Sequence, residues 1–90
     1  MLIGMTDDIR IRRDVDPIRK RIGDNVRAEM ARLGLNQAHL GVILGVGRPQ
    51  VSKRLTGAIG FEAAELVRIA AEFGVPVSRL VDTPTPVVAA

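Results

Sequence analysis

The residues best suited to chemistry lie close together near the middle of the chain. Arg48, Pro49, Ser52 and Lys53 occupy positions i, i+1, i+4 and i+5, which share one side of a helix. From residue 30 to residue 61 there is no Asp or Glu, although the chain of 90 residues contains ten. An acid-free basic segment suits a surface that faces phosphates. The alternative is that this apolar, glycine-rich segment lacks acids by chance, and charge alone does not decide between the two.

Composition argues against several other kinds of chemistry. The chain has no cysteine, which excludes disulfides, thiolate metal sites and cysteine nucleophiles, and its single histidine, His39, argues against a histidine-based metal site. We find no carboxylate pair and no serine triad. Residues 41–47 superficially resemble a nucleotide-binding loop but lack its Lys-Ser/Thr ending. We therefore expect no enzyme activity, no catalytic residue, no cofactor and no metal.

Helix signals are dense on both sides of the basic segment. Asp16 followed by Pro17 is typical of a helix start, and Gly34 of a helix end. Between them, an apolar stripe at spacings of four and three predicts one buried helix face. The stripe consists of Ile18, Ile22, Val26, Met30 and Leu33.

Four further helices are predicted after Gly34, and no sheet. They cover about 37–44, about 48–55, a stretch of about 12 residues that ends at Gly74, and a last turn over 77–81. We divide the chain into an N-terminal arm (1–16), a helical body (17–81) and a C-terminal tail (82–90). Because no apolar run is long enough for a membrane span and no signal peptide is recognisable, we expect a soluble, cytoplasmic protein.

The second and third predicted helices are joined by a tight turn. Gly41 allows the two helices to approach closely, and Gly45 accepts the positive φ with which the chain leaves the first of them. Val46 fills the corner between the helices, and Val51 anchors the second helix to the first. These features predict a helix-turn-helix.

The segment resembles the helix-turn-helix of the Cro and phage-repressor family, also called the xenobiotic-response-element family. Gln37, Gly41, Gly45, Val51 and Gly57 stand at the family's positions, in order and at the right spacing. The resemblance extends over roughly residues 17–81. It implies an all-α, five-helix, lambda-repressor-like DNA-binding domain, here with a short arm and a tail.

The resemblance also implies residue roles, with the helix at about 48–55 lying in the major groove. The residues expected to read bases are Arg48, Pro49, Gln50, Ser52 and Lys53. Those expected to contact phosphates are Gln37, Arg54 and Thr56. Gln50 can instead face the first motif helix, and Ser52 and Lys53 can reach either a base or a phosphate.

The implied function is sequence-specific binding of double-stranded DNA by a transcriptional regulator. We expect a small phage or mobile-element repressor that binds an operator of two half-sites as a homodimer. The last helix and the tail are expected to support the dimer through Val77, Leu80, Val81, Val87 and Val88. One alternative is an antitoxin that represses its own operon and binds a toxin. Another is a protein-interaction module on the same fold.

Overall fold

The computed structural model describes residues 16–82, and within that range it contains five α-helices and no strand. This confirms the predicted all-α, five-helix fold. Most of the predicted arm and tail, with the proposed role of Val87 and Val88, lies outside the described residues. Among the described residues 16–82, none of the helices combines the length and the apolar character that a membrane span requires. The helices are α1 (Pro17–Leu33), α2 (Gln37–Leu44), α3 (Arg48–Thr56), α4 (Ala63–Phe73) and α5 (Val77–Val81).

Local capping chemistry sets where the first two helices begin. The Asp16 Oδ1 atom accepts hydrogen bonds from the backbone N–H groups of Ile18 (2.8 Å) and Arg19 (3.2 Å) at the start of α1. At the start of α2, Asn36 Oδ1 accepts from the His39 backbone N–H, and His39 Nδ1 accepts from the Asn36 backbone N–H, each at 3.0 Å. This reciprocal capping box gives His39 a local structural role.

The core is built from one side of every helix. α1 packs against α3 and α5, α2 packs against α3 and α4, and α4 also packs against α5. The predicted stripe on α1 is correct only in its middle, because Ile18 is 64% exposed and Leu33 is 38% exposed. In the middle of the stripe, Ile22 is partly buried against the core, and Val26 and Met30 are buried within it. The buried apolar residues are Val26, Met30, Leu40, Leu44, Val51, Leu55, Leu66, Ile69, Ala70, Phe73 and Leu80.

Two glycines allow α1 and the end of α3 to approach closely. A Cβ atom at Gly23 would collide with the carbonyl oxygen of Leu55. A Cβ atom at Gly57 would lie 2.8 Å from the backbone nitrogen and Cα of Lys20, and Gly57 has a φ of 89°. Any larger residue at Gly23 would therefore push α1 away from α3 and change the position of α3 in the domain.

Side-chain contacts fix the short last helix to α1. The Asn25 amide donates to the carbonyl oxygens of Leu80 (3.0 Å), in the last turn of α5, and of Asp82 (2.8 Å), just after it. One turn further along α1, the buried Glu29 carboxylate accepts from Arg79 Nη1 at 3.3 Å. Because the side chains of Asn25 and Glu29 face α5, this flank of α1 is distinct from the flank that meets α3.

Candidate nucleic-acid interface

The turn between α2 and α3 has the positive φ at Gly45 and the close packing at Gly41 that the sequence predicts. Gly45 has a φ of 70°, and the next residue, Val46, donates its backbone N–H to the Gly41 carbonyl at 3.0 Å. A Cβ atom at Gly41 would lie 2.8 Å from the Val46 carbonyl oxygen and 3.6 Å from a methyl group of the buried Val51. The close approach predicted at Gly41 and the anchoring role of Val51 are thus confirmed.

Most of the predicted base-reading residues on α3 are exposed to solvent. Arg48, Pro49, Gln50 and Lys53 are exposed, and Ser52 is half-buried. Neither Arg48 nor Lys53 forms an ion pair with another residue in the described range. The two cationic side chains therefore retain their donors for a partner.

Two shallow depressions meet at the start of α2 and α3. One, of about 280 Å³, lies between the two helices and includes Gly41 and Val46 in its lining. The other, of about 290 Å³, extends toward α1 and includes Arg27. Gln37 and Arg48 line both depressions. The structure therefore brings a predicted phosphate-contacting residue and a predicted base-reading residue side by side.

The structure gives Arg54 a role inside the domain. Its Nε and Nη2 atoms each lie 3.0 Å from a different oxygen of the Glu65 carboxylate, and the two side chains are 12% and 10% exposed. A third donor, Nη1, bonds to the Gln50 carbonyl oxygen at 3.1 Å. Three of the guanidinium donors of Arg54 are thus engaged within the chain. The phosphate contact of Arg54 stays a prediction.

The charge of Glu65 is stabilised by this pairing. Burial alone would raise its pKa. The hydrogen bonds from Arg54 and from the Glu62 backbone N–H, with the positive charges of Arg54 and Arg68, outweigh burial and bring the pKa below its usual value of 4.5. Glu65 is consequently ionised at neutral pH and links α4 to α3.

The remaining predicted phosphate contact, Thr56, is exposed at the end of α3. Its hydroxyl donates to the Lys53 carbonyl oxygen at 3.2 Å. A phosphate oxygen accepts hydrogen bonds, so Thr56 would have to release that carbonyl to donate to a phosphate. Its role as a phosphate contact stays a prediction.

Sequence reasoning missed two features of this surface. Arg27 precedes the acid-free segment, and no local pattern connects it with α3. The pairing of Arg54 with Glu65 spans 11 residues and two helices, so no local pattern shows it. Arg27 joins this surface only in the folded chain, because α1 lies beside the starts of α2 and α3.

The helix-turn-helix and its exposed basic helix define a small helical domain of the DNA-binding type. The family model of the BetR domain matches residues 18–86, about three quarters of the chain. The chain belongs to the BetR domain family, which indicates a helical DNA-binding regulatory domain. No curated protein and no solved structure matches it significantly. The more specific resemblance to the Cro and phage-repressor family stays a prediction.

Proposed function

We propose that this chain is a sequence-specific transcriptional regulator that binds double-stranded DNA by placing α3 in the major groove. The observation that carries the proposal is the two-sided character of α3. Val51 and Leu55 are buried against the domain, while Arg48 and Lys53 face solvent without an ion-pair partner in the described residues. A rigidly held helix with free cationic donors fits the width of the major groove and its acceptor-rich edges.

Each side chain on this face has a role that follows from its chemistry. The Arg48 guanidinium suits guanine O6 and N7, and the Gln50 amide suits adenine. Pro49 offers only an apolar contact to a thymine methyl group. Ser52 and Lys53, one turn further along α3, reach a base edge or a phosphate.

Phosphate contacts would place α3 at a fixed depth and register in the groove. Gln37 and Thr56 serve this role at the start of α2 and the end of α3. For Arg54 we favour a positioning role through Glu65, because the structure already engages three of its donors. Loss of Arg54 would then weaken DNA binding indirectly, because α3 would no longer be held in position.

The regulator we propose acts as a repressor of the phage or mobile-element kind. Two copies bind an operator of two half-sites about one helical turn apart. Masses measured in solution with and without operator DNA test the homodimer.

Selection of bound sites from random double-stranded DNA, with the full chain, tests the function directly. With roughly 6–10 phosphate contacts per dimer, the affinity for the selected operator falls about 10³- to 10⁵-fold between 50 and 200 mM salt. A flat salt dependence, or a selection that recovers no preferred sequence, would contradict the proposal.

Two arginine variants then test the orientation of α3. Arg48→Ala weakens operator binding about 5- to 150-fold, corresponding to about 1–3 kcal/mol, and relaxes the preference at one base pair of each half-site. The matched control is Arg21→Ala. Arg21 is exposed and lies four residues before Asn25, on the α5-facing flank of α1. An equal loss in both variants would show that net charge, not base reading, supplies the binding.

A further inference from the structure

The depression that extends toward α1 carries two arginines from different helices. Arg27 from α1 and Arg48 from α3 both line it, together with the polar side chains of Gln37 and Asn36. No acidic residue is among its lining residues. Two of its lining side chains are therefore cationic and two are amides, and the rest are the apolar Met30, Ala31, Leu35 and Leu55.

The acids closest to Arg27 along α1 are engaged elsewhere. Asp24 accepts from Lys20 Nζ at 3.0 Å. Glu29 accepts from Arg32 at 2.9 Å and from Arg79 at 3.3 Å. Arg27 itself is exposed and forms no ion pair with another described residue.

Arg27 is a cation without an ion-pair partner among the described residues, and an anion bound in this depression would supply one. The depression is open to solvent and has a volume of about 290 Å³, so a phosphate group can enter it without displacing the fold. The same depression borders α3, where a DNA strand would pass if α3 entered the groove.

We infer that Arg27 and Gln37 bind one phosphate of the DNA backbone in this depression, while Arg48, which also lines it, reaches base edges. The inference rests on the proposed function and extends it to α1. Arg27 then sets the depth and register of α3 in the groove, and its contact carries no sequence preference.

A salt titration of operator binding tests this contact, with the full chain and Arg27→Gln. Removing one phosphate contact lowers the slope of log affinity against log salt by about 0.9 for each bound chain. The affinity ratio between wild type and variant therefore shrinks about 3- to 4-fold per chain from 50 to 200 mM salt. The variant weakens operator and scrambled DNA by the same factor, and Arg27→Lys keeps the wild-type slope.

The matched control is Arg21→Gln, which removes the same charge from the α5-facing flank of α1 and leaves the slope unchanged. An unchanged slope in Arg27→Gln, with steep salt dependence in wild type, overturns the inference and leaves the proposed function intact. An equal change in both variants overturns it as well, because general charge would then explain the result. Absence of DNA binding by the wild-type chain overturns both proposals.

Calorimetric titration with inorganic phosphate, without DNA, separates the backbone phosphate from a free anion. We expect no saturable heat at millimolar phosphate. Saturable binding that Arg27→Gln abolishes would reassign the depression to a free anion and overturn the inference. The Tm of Arg27→Gln stays within about 2–4 °C of wild type, since the side chain is exposed.

Discussion

Replacing Arg54 by methionine separates the structural role of this residue from its predicted role on DNA. Methionine keeps an unbranched apolar stem and removes the guanidinium. The change leaves the Glu65 carboxylate, whose side chain is 10% exposed, without its two hydrogen bonds from Arg54. It also removes the donor to the Gln50 carbonyl oxygen.

The expected cost follows from leaving a nearly buried charge unpaired. Breaking a buried ion pair by removing one partner costs about 3–5 kcal/mol. Glu65 retains the hydrogen bond from the Glu62 backbone N–H at 3.0 Å, which places the expected loss for Arg54→Met near the lower end, about 3 kcal/mol. For a domain of this size, such a loss lowers Tm by roughly 12–24 °C.

Urea and thermal unfolding, followed by circular dichroism, measure this loss. Lys53→Met is the control, because Lys53 is exposed, and its stability stays within about 0.5 kcal/mol of wild type. Arg54→Met combined with Glu65→Gln is more stable than Arg54→Met alone by about 1–2 kcal/mol, because the amide is neutral and still accepts from Glu62.

DNA binding of the same variant, measured well below its Tm, completes the comparison. A positioning residue leaves the salt slope unchanged, whereas a phosphate contact lowers it by about 0.9 for each bound chain. If Arg54→Met unfolded within about 0.5 kcal/mol of wild type and lowered that slope, the assignment of Arg54 to Glu65 would be refuted.

Three further predictions concern packing, capping and pH. Gly23→Ala destabilises the domain by about 1–3 kcal/mol in urea unfolding, because the new methyl group meets the Leu55 carbonyl; an unchanged midpoint would contradict the close crossing. Asn36→Ala costs about 1 kcal/mol by the same measurement, and Asn36→Asp, which still accepts the capping hydrogen bond, loses much less. The lowered pKa of Glu65 means that its ionised form stabilises the fold. Wild type is therefore more stable than Glu65→Gln by the largest margin above pH 4.5. The margin shrinks as the pH falls through the lowered pKa of Glu65 and the carboxylate becomes protonated. A margin that grew toward acid pH would contradict this prediction.

The sequence by itself determined the features that depend on neighbours within about one helical turn. Asp16 with Pro17 and Asn36 define helix starts because capping hydrogen bonds span two or three residues. Gly45 defines the turn because the backbone there needs a positive φ. The order and spacing of these local signals were enough to predict five helices and a helix-turn-helix.

Only the tertiary structure decided which charges pair and which remain available. Arg54 and Lys53 are neighbours in sequence, yet one faces Glu65 on α4 and the other faces solvent. Arg27 shares a depression with Arg48 because α1 crosses close to α3, and that crossing depends on contacts between residues far apart in the chain. Helical periodicity gives the direction of a side chain from its own axis, but the partner it meets is set by how the helices pack.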